Sequence, residues 1–365
     1  MNDAYNERQP FEDQSARATT TARVRCFHLH EAEEWDQYLL LHGNASVFHS
    51  SHWAQVMQAS YGHRPHLLAW MEGGNPRALL PLLEVRSLVK GHRGISLPFS
   101  DEGGMLCFED EDGRRLWQQA SELGRECGWR YLEVRGPLPC QAEAPAKATF
   151  IGHEADLSSG EAAVFENFES SVRRAVRKAE KSGLTVRVTR TLDAMGNFYR
   201  LHCATRRKHG VPPQSPAFFE NIHEHVIRAG FGFMVEALHG GATVAAGVFL
   251  HFGGCGIYKF GASDESRLPL RANDRVMWEG MKQCVELGCQ KFLMGRTDLA
   301  NAGLRRFKRG FGAREYEIRY HRMDLRSGRF LEGTGRTGGQ KSRLARLLPM
   351  PVFCLLGRLL YPQLD

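Results

Sequence analysis

Apolar positions recur at helical spacing in some stretches of the chain and crowd into short runs bounded by glycine pairs in others. Residues 31–42 and 51–61 predict helices. Residues 66–70 and 78–85 predict two strands, joined by the turn Glu72-Gly73-Gly74-Asn75-Pro76. A short strand over 105–108 follows, then an amphipathic helix over 114–127 ended by Gly128, then a strand over 131–134. The same order returns further on. Helices are expected over 197–208 and 216–228, and strands over 233–238 and 243–251 around His239-Gly240-Gly241-Ala242. A strand over 256–262, a helix over 273–287 ended by Gly288, and a strand over 291–294 complete the second round.

The two rounds can be laid side by side. "LWQQASELGRECGWRYLEV" and "VMWEGMKQCVELGCQKFLM" are both helices with Trp near the start, a glycine cap and an immediate strand. Gly128 and Gly288 lie about 160 residues apart, far too long a period for a solenoid. A duplicated domain of about 150 residues is the simpler account. The expected fold is α/β, mixed sheets flanked by helices. Its units are an unstructured 1–22, a first domain over 23–155, a second over 156–330 carrying the chemistry, and a basic, amphipathic tail over 331–365.

Between the rounds, "FENFESSVRRAVRKAEKSG" (165–183) predicts one amphipathic helix. Arg173, Arg177 and Lys181 form one i, i+4 row, with Arg174 and Lys178 beside it. So many like charges repel along a solvated face, so this helix is read as phosphate-facing.

Composition bounds the rest. Hydrophobic residues are 42% and charged residues 24%, ordinary for a folded chain. The net charge of +7 suits an anionic ligand without requiring one. The nine cysteines are odd in number, scattered and never spaced C-x-x-C, which argues against a disulfide framework and a zinc ribbon. Residues 1–21 lack a signal-peptide core. No apolar run reaches the ~18 residues of a membrane span. Residues 344–361 come nearest, but Arg346, Pro349, Pro351 and Arg358 interrupt them. That tail is expected to pack on the body or touch a membrane surface. A cytoplasmic location, extending to the inner face of the membrane, is the natural expectation.

Three segments of the second round can carry chemistry. In "GIYKFGASD", Tyr258 and Lys259 are successive strand residues and point to opposite sides, so one should face a cleft. In "FLMGRTD", Arg296 and Asp298 follow a strand's carboxyl end, where ligands gather in α/β sheets. In "NAGLRRFKRGFGAREYEIRYHR", Arg305, Arg306, Lys308, Arg309 and Arg314 surround Phe307, Phe311 and two glycines, and read as a glycine-spaced loop approaching phosphates. No HExxH, G-x-S-x-G, P-loop or dinucleotide fingerprint occurs, and no histidine spacing suggests a metal.

These residues resemble the FemAB-like branch of the GNAT superfamily, especially its BioF2-like and exopolysaccharide- or exosortase-associated members. "SSHWAQVMQASYGHRPHLLAW", "LPFSDEGG", "SSVRRAVRKAEKSG", "TRRKHGVPPQSPAFFENI" and "GRTDLANAGLRRFKRGFGA" carry the likeness. The resemblance implies two tandem GNAT-like domains facing a cleft. It implies transfer of an acyl or aminoacyl group to an amine of a phosphorylated cell-envelope or polysaccharide precursor.

By that likeness, Lys308 is the cation for the oxyanion, with Arg296 and Asp298 as catalytic partners. Tyr258, Lys259, Arg173, Arg177, Lys178, Arg305 and Arg309 are the substrate-binding candidates. No metal is expected, and no cofactor is expected to be bound permanently. The donor stays open between aminoacyl-tRNA and acyl-CoA, because the R/Q-x-x-G-x-G/A pyrophosphate loop of acetyl-CoA-binding GNAT domains is missing from "SDESRLPLRANDRVMWEG". An acyl-CoA-dependent N-acetyltransferase and a non-catalytic RNA- or anionic-surface-binding module are the competing readings.

Overall fold

The computed structural model describes residues 22–88, 90–333 and 344–364. The stretch read as unstructured, 1–22, falls almost wholly outside the described residues, as does part of the tail. The first round holds β1 (Arg23–Phe27), α1 (Ala32–Leu40), α2 (Ser51–Tyr61), β2 (Arg64–Glu72), β3 (Asn75–Ser87), β4 (Gly91–Ile95), β5 (Leu106–Cys107), α3 (Asp110–Glu126), β6 (Tyr131–Arg135) and β7 (Ala148–Asp156). Two helices follow, α4 (Gly160–Glu166) and α5 (Ser170–Glu180). The second round holds β8 (Thr185–Thr189), α6 (Leu192–His209), α7 (Pro216–Ile222), β9 (Gly232–His239), β10 (Ala242–Phe252), β11 (Cys255–Ser263), α8 (Ala272–Glu286), β12 (Lys291–Leu293), α9 (Ala302–Gly310) and β13 (Arg314–Asp324). A two-residue β14 (Arg329–Phe330) and α10 (Met350–Leu360) end the chain.

Twelve of the strands run in one path, β1-β2-β3-β4-β6-β13-β7-β12-β11-β10-β9-β8. The order is symmetric about the β13–β7 pair. On each side three antiparallel pairings lead to one parallel pairing, β4 with β6 and β11 with β12. The strand next to β6 is β13 from the second round, and the strand next to β12 is β7 from the first. The two halves have thus exchanged a strand, and the duplication seen in "LWQQASELGRECGWRYLEV" is a property of the whole fold.

One core joins the halves. Helix α2 of the first packs on α7 of the second, with the Trp53 and Phe218 rings edge to face at 6.3 Å and Tyr61 stacked on Phe218 at 5.6 Å. Separate clusters lie under α3 in the first half and under α5 and α8 in the second.

The sequence reading needs three corrections. The helix expected over 165–183 is two helices, because Glu169 is extended and its N–H bonds Gly310 O at 2.9 Å. The stretch read as a loop around Lys308 is the end of α9, a tight turn and then β13. Strands β1, β4, β7, β8 and β13 are additions to that reading; β1, β8 and β13 do alternate apolar with polar residues, but in short, charge-rich stretches.

Helix α10 packs on the body through Phe353 and Gly357, where a Cβ would lie 1.9 Å from Pro213 O. Tyr361 Oη donates to Pro212 O at 3.1 Å. The opposite side of this tail leaves Leu347, Leu355 and Leu359 exposed. No helix among the described residues is long and apolar enough to cross a membrane.

Candidate active site at the seam between the halves

Parallel strands β11 and β12 pair only as far as Ile257 and Leu293. Beyond that point β12 stops, and the Met294 N–H turns to His153 O on β7. The gap so opened is entered by the loop "SLPFSDEGG" (96–104) of the other half. That loop is strained: Leu97 and Phe99 adopt φ of 53° and 59°, a region costly for side chains with a Cβ. It is held by Trp53 Nε1 donating to Pro98 O at 3.3 Å and by a short bond from Ser100 Oγ to Leu97 O. Strain of this kind persists where surrounding contacts fix it, as at active sites.

Lys259 grips the same loop. Opposite β10, Val248 pairs with Phe260 and Phe249 with Tyr258, so Lys259 is the extra residue of a β-bulge. The bulge aims its ammonium across the gap. Nζ donates to Phe99 O at 2.7 Å and to Asp101 Oδ2 at 3.2 Å. The rings of Phe48, Trp53 and Phe260 lie 4.8, 5.6 and 5.3 Å from it. Burial pulls the ammonium below its ordinary range, and Asp101 opposes that. Asp101 also abuts Gly295, where a Cβ would lie 3.1 Å from Oδ2. Burial resists ionisation of Asp101, but the charges of Lys259, Arg296 and Lys308 outweigh it and hold the carboxyl low.

Lys308 reaches the strand end from α9. Its Nζ donates to Gly295 O and Thr297 Oγ1, both at 2.8 Å, and approaches Arg296 O at 3.4 Å. It is buried, which pulls it down to about 8. These bonds fix the Gly295–Thr297 turn and so orient Arg296, an exposed residue whose guanidinium turns back onto aromatic rings. Arg296 lies over Phe150 at 4.4 Å and donates to Tyr320 Oη at 2.6 Å. Tyr320 Oη in turn donates to Asp101 O at 2.8 Å.

The neighbouring carboxyl supplies what the sequence reading lacked, a candidate base. Glu102 lines a cavity of about 290 Å³ between the halves, with Glu154, Lys291, Tyr316, His49 and Cys255. Tyr316 Oη donates to Glu102 Oε1 at 3.1 Å. Burial pushes Glu102 up to about 7, with Asp101 adding to the rise and the Tyr316 bond opposing it. A carboxyl poised there can take and return a proton near neutral pH. Both acids belong to "LPFSDEGG", a segment noted for its likeness and not for its chemistry.

The other expected residues divide. Tyr258 points to the opposite face, into the cluster under α8, and burial pushes its phenol up to about 12. Asp298 is half-buried beyond the turn, and its carbonyl accepts from Asn301 N at 2.9 Å. Arg305 grips Glu315 with bonds of 3.0 and 2.6 Å, and Arg309 stands 3.9 Å from the same carboxyl. On α5, Arg173 bonds Glu166 at 2.5 Å and Arg177 lies 5.6 Å over Phe165. Arg174 and Lys178 instead open onto a cavity of about 690 Å³, shared with Arg271, Arg306, Phe307 and Asp274. One row of cations on the basic helix is therefore engaged with Glu166 and Phe165, and the other faces this cavity. In the first half α3, the counterpart of α8, opens with Asp110, Glu111 and Asp112.

Residues 166–309 match the family model of the acetyltransferase (GNAT) domain. No curated protein matches the chain by sequence. Among solved structures the fold is similar to that of FemX, with a TM-score of 0.65 at 13% identity over 81% of this chain and 96% of that one. It is similar to the C-terminal domain of a putative lysylphosphatidylglycerol synthetase from Agrobacterium fabrum, with TM-score 0.52, 14% identity, and 80% and 91% of the two chains covered. A tandem GNAT protein from the clavulanic acid biosynthesis pathway gives TM-score 0.52 at 11% identity over 84% and 99%. At these identities the likeness is one of fold, and it is the tandem GNAT fold read from the sequence.

Proposed function

We propose that this chain, a FemAB-like protein of the GNAT superfamily, transfers an acyl or aminoacyl group to an amine of a phosphate-bearing envelope or polysaccharide precursor. The observation that carries the reading is Glu102, a carboxyl poised near neutrality in a cavity one residue from the cation-rich Asp101 cluster. The amine enters the cavity and attacks the carbonyl carbon of the donor. Glu102 takes the amine's proton as the new C–N bond forms. Arg296 faces the developing oxyanion, and Lys308 holds the turn that aims it. Collapse breaks the bond to the leaving oxygen or sulfur, which recovers the proton from Glu102.

The donor's phosphates are assigned to the cavity of Arg174, Lys178, Arg271 and Arg306. An aminoacyl donor is supported by the name of one structural neighbour, which couples lysine with an anionic lipid. An acyl-CoA donor is supported by an adjoining cavity of about 260 Å³ at the start of α8, which Arg267 and Arg271 line. Asp264 lies in that cavity and works against a pyrophosphate, whereas Asp274 lines both cavities and does not separate them.

The deciding experiment incubates the purified chain with charged tRNA or acyl-CoAs and an extract of envelope precursors, and follows acylated amines by mass spectrometry. Wild-type protein should form the product and Glu102→Gln should not. Equal product from both would overturn the assignment, and calorimetry with CoA and with tRNA separates the donors.

The exposed leucines of α10 are assigned to an anionic bilayer surface. Arg346, Arg358 and Arg207 are exposed around them, which supports that choice.

A further inference from the structure

Away from the seam, the first half gathers a second set of reactive side chains. His66 on β2 and Glu84 on β3 lie on one face of the sheet, two residues out of register, since His66 pairs with Leu82 and Arg64 with Glu84. Cys127 caps the end of α3. Gly128 follows with φ of +69° and turns the chain so that Trp129 folds back over the same face. The Trp129 ring stands 5.4 Å from His66, edge to face, and fills the space above Gly94, where a Cβ would meet it at 2.1 Å. Neither the histidine, the acid nor the thiol is near the others in sequence, so no spacing motif could reveal them.

We propose that His66, Glu84 and Cys127 bind a zinc ion that staples the end of α3 to β2 and β3. One donor atom from each lies within 4.8 Å of the other two. Small rotamer adjustments bring such a set onto an ion at bond lengths of about 2.0–2.3 Å. A nitrogen, an oxygen and a sulfur donor together favour zinc over magnesium or calcium, which take oxygen alone. His66 and Glu84 are buried and already bonded, Nε2 to Oε2 at 3.3 Å, and the ion would replace that contact with two stronger ones. Glu84 Oε1 stays with Arg86 at 3.0 Å and with His92 Nε2 at 2.9 Å, which orients the carboxylate as outer partners of metal ligands do. The thiol loses its proton to solvent on binding, and the two anionic ligands then balance the dication. The fourth position falls to water.

The test uses the full chain, purified without chelator from zinc-supplemented cells, with metal content measured by mass spectrometry. Near-stoichiometric zinc is expected, with most of it lost in Cys127→Ser and in His66→Ala. Adding zinc to the stripped protein should raise its thermal midpoint by several degrees. Cobalt substitution should give a thiolate charge-transfer band that Cys127→Ser abolishes. Cys127 is half-buried at a helix end, so its serine variant should fold, and far-UV circular dichroism checks this. Negligible zinc uptake overturns the proposal. So does zinc or a cobalt spectrum unchanged by Cys127→Ser, because the metal then sits elsewhere.

Discussion

Lys259 Nζ meets Asp101 Oδ2 at 3.2 Å across the seam, a buried ion pair whose partners come from opposite halves of a duplicated fold. Only 6% of the lysine side chain and 18% of the aspartate's are exposed, so removing the lysine leaves the buried aspartate with only Arg296 and Lys308 to offset it. Lys259→Met is expected to lower unfolding free energy by about 3–5 kcal/mol. Pairing it with Asp101→Leu should recover more than half of that loss, since both charges then leave together. Urea denaturation of the two variants checks this. A double variant as unstable as the single one would mean that the bond to Phe99 O, and not the charge pair, holds the loop.

Glu102 separates activity from stability. Its carboxyl stands at about 7 in the fold against an ordinary value near 4.5, so the fold favours the protonated form. The sign follows: the unfavourable contribution is absent below the ordinary value, and stability falls as pH rises towards 7. Glu102→Gln should therefore be at least as stable as wild type at pH 8. As a base Glu102 must be ionised, so kcat/KM should climb through pH 7, and the glutamine variant should lose that limb with about 10²–10⁴-fold of rate. A pH–rate profile alongside thermal melts reads both.

Much of this organisation was legible in the chain itself. The hairpins around Gly73-Gly74 and Gly240-Gly241 and the capped helices α3 and α8 have local signals, and the 160-residue repeat of their glycines exposed the duplication. The central strands did not show. β13, "REYEIRYHRMD", alternates Tyr316, Ile318 and Tyr320 with charged residues, but its density of charge resembles a surface segment, and its partners β6 and β7 come from distant parts of the chain. Asp101 and Glu102 were invisible for the same reason. They lie on an irregular loop whose meaning comes from the bulge at Lys259 and the glycine at 295, some 160 and 190 residues away. Lys308 was found by its basic surroundings, but its burial and its role in fixing the Gly295–Thr297 turn depend on α9.

Arg296 and Lys308 should fail in different ways. Arg296 is exposed and aimed by its neighbours, so Arg296→Ala should cost about 10²–10³ in kcat with little change in thermal midpoint. Lys308→Met removes the bonds to Gly295 O and Thr297 Oγ1 and should lower the midpoint as well as the rate. Because Lys308 titrates at about 8, wild-type activity should fall above that pH as the ammonium loses its proton. A normal melt for Lys308→Met would place the lysine outside the role of holding the turn.

The two rows of cations on α5 give a contrast within one helix. Arg174→Glu and Lys178→Glu should weaken binding of an anionic donor and flatten its salt dependence, since both face the cavity. Arg173→Ala and Arg177→Ala should change affinity less, because these side chains are engaged with Glu166 and Phe165. Fluorescence titration with tRNA and with CoA across a salt series measures the slopes. Equal slopes in all four variants would remove the distinction between the rows.

The tail makes the last distinction. Phe353 and Gly357 fix α10 to the body, while Leu355 and Leu359 point away from it beside Arg358. If those leucines meet a bilayer, Leu355→Glu with Leu359→Glu should abolish sedimentation with phosphatidylglycerol vesicles without altering the melt, because neither side chain contributes to the core. Raising salt should weaken the wild-type interaction only in part, since the arginine attraction is screened while apolar burial persists. Binding lost completely at high salt would instead assign the contact to the cations alone, and unchanged binding in the double variant would leave α10 with no part in it.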